Sequence, residues 1–197
     1  MSTNSNYLNN IIHSRRSIFP SEYNDSPISN EFIKMLLSNA NMAPSHKLTQ
    51  PWRFKILQNK AKADLANFLI NENISSKNFG SFSKFKKQKI KEKCSKSSAI
   101  IVICMQRDLS NSVPEWEEIA STSMAVQNMW LTCTSNNVGC YWSSPKSIDK
   151  IGEFIKLNKG ERCLGFFYLG NYNANKKNII NRDPVNKKVE WLKKIIL

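Results

Sequence analysis

Along the chain the apolar positions change period several times, and each change predicts an element. Leu8, Ile11 and Ile12 mark a short helix over Leu8 to Arg16. Ser29 has the side chain of an N-cap, and Phe32, Ile33, Leu36, Leu37 and Ala40 then fall on one helical face, with Pro44 ending the segment soon after. Phe54 to Leu57 predicts a short strand, Ala61 to Ile70 an amphipathic helix, and Phe79 to Lys93 a weaker, basic helix. Ala99 to Met105 is an unbroken apolar run rich in β-branched residues, which predicts a strand buried on both faces. Ser112-Val113-Pro114-Glu115 has the form of a capping box ahead of a long helix reaching about Asn137. That helix carries a stretch of small residues from Ala120 to Ala125, which predicts a central element and close approach by another helix or chain. Gly139 to Trp142 then predicts a strand, with Gly139 making a tight turn, and Ile148 to Leu157 a helix. Cys163 to Leu169 predicts a second buried strand ended by Gly170, and Val185 to Ile195 a terminal basic helix. Helices and strands alternate without repeats or a linker, so the expectation is one α+β domain over 1–197, a central mixed or antiparallel sheet flanked by helices.

Composition narrows the class. No apolar run approaches the length that spans a bilayer. The first residues, Met-Ser-Thr-Asn-Ser-Asn, lack a basic segment followed by an apolar one, so the expectation is no signal peptide and a cytoplasmic protein. The five cysteines are odd in number and form no CxxC pair, which predicts reduced, mostly buried thiols. With His13 and His46 the only histidines, a histidine metal site is not expected.

The net charge of +14 is concentrated: residues 77–96 hold eight lysines against Glu92, a local excess of +7. A basic run of this kind is either an anion-binding patch or a solvated helix face. No aromatic stacking pattern, zinc spacing or helix-turn-helix signal accompanies it, so the solvated face is the favoured reading and nucleic acid is disfavoured.

Three segments carry candidate chemistry. Arg15-Arg16-Ser17 offers two guanidinium groups and a hydroxyl to a phosphate, although a basic pair at a helix C-terminus also complements the helix dipole. The loop Ala43 to Phe54, bracketed by Pro44 and Pro51, presents Ser45, His46, Thr49 and Gln50 between a helix and a strand. There His46 is either a ligand contact or a surface histidine, and Trp52 either core or a cofactor contact. Trp142, Ser143 and Ser144 stand at the exit of a strand, where ligand contacts are common, and Arg182 supplies a further cation.

Taken in order, Arg-Arg-Ser, Ala-Pro-Ser…Gln-Pro-Trp-Arg-Phe, a Gly…Trp strand, Gly-Phe-Phe-Tyr-Leu-Gly and a late Arg-x-Pro resemble the nitroreductase family from about Ile11 to Trp191. The Pro-Ser-His-Lys loop and Val113-Pro114-x-Trp116-Glu117 resemble its short, minimal subgroup. The resemblance implies a nitroreductase-like fold with the long helix at the interface of a homodimer. It implies FMN bound between subunits, with active sites shared across the interface. Arg15, Arg16 and Ser17 would hold the phosphate and ribityl end, supported by Arg182. His46, with Ser45 and Gln50, would reach the cofactor from the second subunit, and Trp142, Ser143 and Ser144 would line it from the first. The implied activity is two-step: NAD(P)H reduces the flavin, which then reduces a small nitroaromatic, quinone-like or enone acceptor. No protein nucleophile is required, because the flavin carries the chemistry. A departure stands at Phe19, where many members have a second basic residue. The alternative reading is a basic flavin-carrying or nucleic-acid-binding protein without redox turnover.

Overall fold

The computed structural model describes residues 3–75, 83–173 and 182–192. Five α-helices and four strands are described: α1 (Thr3–Ser14), α2 (Asn30–Ala40), β1 (Trp52–Leu57), α3 (Lys60–Ser75), α4 (Lys84–Lys96), β2 (Ala99–Gln106), α5 (Glu115–Ser135), β3 (Val138–Ser143) and β4 (Glu161–Asn171). The strands form one antiparallel sheet in the order β1-β2-β4-β3. Sequence and structure therefore agree on an α+β architecture.

Each sheet face is covered because both faces are apolar. From Ala99 to Met105 every residue of β2 is buried, as its unbroken apolar run requires of an interior strand. Ile101, Ile103, Phe167 and Leu169 face α2 and α5, where Leu36, Ala125, Val126 and Met129 fill the layer. Ile100, Val102, Phe166 and Tyr168 face the other way, toward Leu65, Leu69 and Cys94 of α3 and α4. The Ser29 cap forms as expected, its hydroxyl accepting from the Phe32 N–H at 3.1 Å. All five cysteines are free and buried. Burial pushes the Cys94 thiol up to about 11 and moves Cys140 in the same direction.

Several local expectations are corrected. The capping box does not form: Pro114 precedes α5 with no side-chain cap, and the Ser112 hydroxyl instead donates to Asp108 at 2.5 Å, closing the 108–112 loop. Lys146–Glu153 is a 3-10 turn rather than an α-helix, and Val185–Lys188 is a single 3-10 turn followed by extended residues. Val185, Val189 and Leu192 have helical spacing but are all exposed, so no burial against the core holds a longer helix. The start of the basic helix (79–82), Lys77 and positions 193–195 lie outside the described residues.

Gly139 and Gly170 also differ from expectation. Neither makes a turn; they stand opposite each other in the β3–β4 ladder, which continues to Asn171. Their missing side chains leave a flat patch for the Tyr23 ring. A Cβ on Gly170 would lie 2.2 Å from Tyr23 Cδ2, and one on Gly139 2.7 Å from Tyr23 Cε1. The Tyr23 hydroxyl lies 3.0 Å from both the Ile18 and the Tyr168 carbonyls, so the segment after α1 is tied to the sheet edge.

The run of small residues in α5 is largely used inside the chain. Ser121, Thr122 and Ala125 are buried against the protomer's own core, Ala120 and Ser123 are half-buried, and Met124 is exposed.

A buried ion pair sits at the sheet end. The Glu161 side chain is fully buried, bonded by Lys55 Nζ at 2.5 Å and by the Asn158 N–H at 2.9 Å. Burial alone would raise the carboxyl pKa, but the Lys55 and Asn158 bonds outweigh it and the net direction is down. A depressed folded-state value stabilises the protein above the ordinary carboxylate range, and that contribution disappears as pH falls through the folded value. Acid titration of unfolding free energy should therefore steepen below roughly pH 4.5. Glu161→Gln should flatten that limb and cost on the order of 1.5 kcal/mol at neutral pH. Identical acid limbs in the two proteins would remove Glu161 from this role.

Candidate functional site

The expected site residues fall into two groups at different points along α5. The first lies on the β3 edge of the sheet. The segment after α1 runs beside β3, with the Ile18 N–H donating to the Cys140 carbonyl at 3.0 Å. The Trp130 indole N–H of α5 donates to the Arg16 carbonyl at 3.0 Å. This fixes the backbone from which Arg15, Arg16 and Ser17 project.

The two arginines have different uses. Arg16 folds back on α1, donating to the His13 carbonyl at 2.6 Å and to the Arg15 carbonyl at 2.8 Å, which is the helix-end role that the sequence left open. Arg15 instead lies over the Trp130 ring, 4.8 Å from its centroid. Partial burial, then the neighbouring Arg182 cation, lower the Arg15 pKa, with Arg16 acting in the same direction. Its charged neighbours are thus other cations. An anion bound beside Arg15 would offset the repulsion from these neighbours.

Trp142, Ser143 and Ser144 end β3 on the same sheet edge. Trp142 lies across β4 because residue 165 is glycine: a Cβ there would stand 2.1 Å from the indole nitrogen. The Trp142 N–H donates to the Leu164 carbonyl at 3.2 Å, so it is committed within the protein. Ser143 Oγ is 3.4 Å from Lys93 Nζ, and the Lys93 ammonium also sits 5.1 Å from the Tyr141 ring centroid. Phe19, the departure from the family's basic residue, packs against the same Tyr141 ring, 4.6 Å from centroid to centroid.

The second group is the loop between α2 and β1. Lys47, Leu48 and Gln50 all have positive φ, of 49°, 53° and 42°. Three non-glycine residues in the left-handed region are costly, and persist only where other contacts over-determine the backbone. Those contacts are present: Gln50 N–H donates to Ser45 Oγ at 3.2 Å, Lys47 Nζ to the Ser112 carbonyl at 2.9 Å, and Arg53 to the Gln50 carbonyl at 2.8 Å. Trp52 is buried, its N–H on Asn41 Oδ1 at 3.0 Å, so it belongs to the core. His46 Nδ1 meets Glu117 Oε2 of α5 at 2.5 Å. A recess of about 400 Å3 opens beside them, lined by Ser45, His46, Trp116, Ala120, Ser121 and Met124.

The two groups touch α5 at Glu117 and at Trp130, thirteen residues apart, or roughly 20 Å along the helix. Arg15, Arg16 and Ser17 lead into the segment that runs beside β3, the strand that ends in Trp142 and Ser143; Ser45, His46 and Gln50 share the loop against the start of α5. Sequence reasoning missed Glu117 as a partner of His46. The available signal was an acidic residue one helical turn into α5, which by itself only suggests a favourable helix dipole.

A four-stranded antiparallel sheet with a long helix on one face defines an α+β class, and comparison with known proteins makes it specific. The model of the nitroreductase family matches residues 12–171, and the chain belongs to that family. The Bacillus subtilis (strain 168) protein YfhC, which is named as an NAD(P)H nitroreductase, is 28% identical over 181 residues, 90% of each chain. A nitroreductase-like family protein from Bacillus cereus has a crystal structure that superposes with a TM-score of 0.81 at 25% identity, covering 95% of this chain and 96% of that one. A protein from Desulfovibrio desulfuricans, solved in complex with FMN and described as a nitroreductase, shares the fold with a TM-score of 0.70 at 19% identity over 96% of this chain and 98% of that one.

Proposed function

We propose that this protein is an FMN-dependent NAD(P)H oxidoreductase, a single domain over 1–197 that works as a homodimer and reduces small nitroaromatic, quinone-like or enone acceptors. The observation that carries the reading is the placement of Arg15 beside β3, its guanidinium over the Trp130 ring on a backbone anchored by the Trp130 and Ile18 hydrogen bonds, a cationic donor that suits a phosphate. Arg15 and Arg182 would hold the FMN phosphate. Ser17 and the Arg16 backbone support the ribityl end, and Trp142, Ser143 and Ser144 line the cofactor. Bound FMN supplies hydride chemistry; the chain's own residues bind it, orient it and exclude water.

The spacing of the two groups supports a shared site. A ring resting near Arg15 is too far along α5 to meet His46, Ser45 and Gln50 of the same chain, so a second copy would supply them. Exposed apolar side chains near the loop support the same arrangement: Met42, Leu48 and Trp116 are 77%, 79% and 67% exposed. Among the described residues no helix is long and apolar enough to cross a membrane.

The test is optical. Purified protein loaded with FMN should bleach anaerobically on NADH or NADPH, and the flavin colour should return when a quinone or nitroaromatic is added. Bleaching without recovery favours a flavin carrier, and failure to take up FMN overturns the reading. Sedimentation should show a dimer at nanomolar concentration; a flavin-loaded monomer would remove the shared site. His46→Ala should keep the fold, since an exposed loop residue carries little packing, while lowering the midpoint potential of bound FMN and slowing its reduction. Unchanged potential and rate would return His46 to the surface.

A further inference from the structure

His46 and Glu117 are presented to each other by two separately anchored elements. The loop holding His46 keeps three left-handed residues in place by bonds to Ser45, Ser112 and Gln50. Glu117 stands in the first turn of α5, where the helix N-terminus favours its negative charge. The 2.5 Å contact between Nδ1 and Oε2 is therefore imposed from both sides. A carboxylate accepts and does not donate, so Nδ1 must carry the hydrogen. In the neutral ring Nε2 is then a bare acceptor, the reverse of the tautomer an isolated histidine prefers. Among the described residues no hydrogen bond to Nε2 competes for it. It is left for whatever occupies the recess bordered by Trp116 and Met124.

We propose that Glu117 is a positioning residue that acts through His46: it fixes the Nδ1–H tautomer so that Nε2 accepts a hydrogen bond from a ring N–H of the bound cofactor. This rests on the functional reading above, in which His46 reaches FMN. Glu117 itself touches neither cofactor nor substrate.

The chain has two histidines, so imidazole 15N resonances of the labelled protein can be assigned by comparison with His13→Ala. The first measurement uses protein without FMN, at a pH above imidazole titration. Wild type should show His46 with a protonated Nδ1 and a bare Nε2, and Glu117→Ala should revert it to the ordinary Nε2–H form while His13 is unchanged. A wild-type His46 already in the Nε2–H form overturns the proposal, whether or not the protein binds flavin. The second measurement is a double-mutant cycle on FMN affinity. Glu117→Ala should weaken FMN about fivefold, the size of one lost hydrogen bond, and should have no further effect on a His46→Ala background. Additive losses would show that Glu117 acts independently of His46 and overturn the proposal. Absence of FMN binding in wild type would instead sink the functional reading, leaving the tautomer result to stand alone. Unfolding curves that coincide for wild type and Glu117→Ala separate the positioning role from a folding defect.

Discussion

Arg15→Ala should lower FMN affinity about 30-fold, equivalent to roughly 2 kcal/mol, with little change in unfolding free energy. Arg15 is the better anion ligand of the pair because its guanidinium lies over Trp130 with Arg182 nearby, whereas Arg16 is occupied by the His13 and Arg15 carbonyls. Removing Arg15 therefore takes away a charge-assisted bond and leaves the phosphate with weaker compensation. Arg16→Ala should cost less in FMN affinity, and more of its effect should appear as fraying of α1. Titration of the three proteins with FMN, followed by flavin fluorescence, decides the matter. Equal affinities for wild type and Arg15→Ala would move the phosphate elsewhere. FAD should bind poorly to all three, since the site is proposed to end at one phosphate.

Glu118→Ala should destabilise the fold by about 3 kcal/mol, the largest single loss expected for any substitution discussed. Glu118 is 1% exposed and pairs with the half-buried Arg107. Its second oxygen accepts from the Asp108 N–H at 2.8 Å, and Arg107 also donates to the Val113 carbonyl at 2.6 Å. Truncation leaves the guanidinium without its counter-charge and the Asp108 N–H without its acceptor. The same network sets the start of α5, so the position of Glu117 should loosen as well. Denaturant unfolding measures the loss, which for a chain of this size also corresponds to a fall in Tm of roughly 6–12 °C. Glu118→Gln, which keeps an acceptor for Asp108, should lie between wild type and Ala. A change under 0.5 kcal/mol in Glu118→Ala would mean that the pair is structurally neutral.

These two residues differ in how visible they are in the sequence. Arg15 stands in a motif, Arg-Arg-Ser, whose chemistry can be read directly. Glu118 is one of three acids in Glu115-Trp116-Glu117-Glu118, and nothing local says which is buried. Helical geometry separates them: Glu115 is exposed and meets Arg162 at 3.1 Å, Glu117 reaches His46, and Glu118 turns inward to Arg107. A rotation of roughly 100° per residue gives adjacent identical side chains different fates.

The sequence by itself determined the fold class and most element positions, because burial leaves a periodic record: a continuous apolar run for β2, a helical stripe for α2, an N-cap at Ser29. A periodic pattern that nothing buries misleads: Val185, Val189 and Leu192 have helical spacing but stay exposed, and only the turn Val185–Lys188 forms. The resemblance to the family was likewise carried by residues adjacent in sequence. What only the tertiary structure decided involves partners distant along the chain. Gly139 and Gly170 looked like turn residues and proved to be a seat for Tyr23, a residue more than a hundred positions away. Arg15 and Arg16 looked equivalent until Trp130 received one of them and the end of α1 the other. His46 gained Glu117 across 71 positions of sequence. Local chemistry fixes what a residue can do; packing of distant segments fixes which of those possibilities remains open.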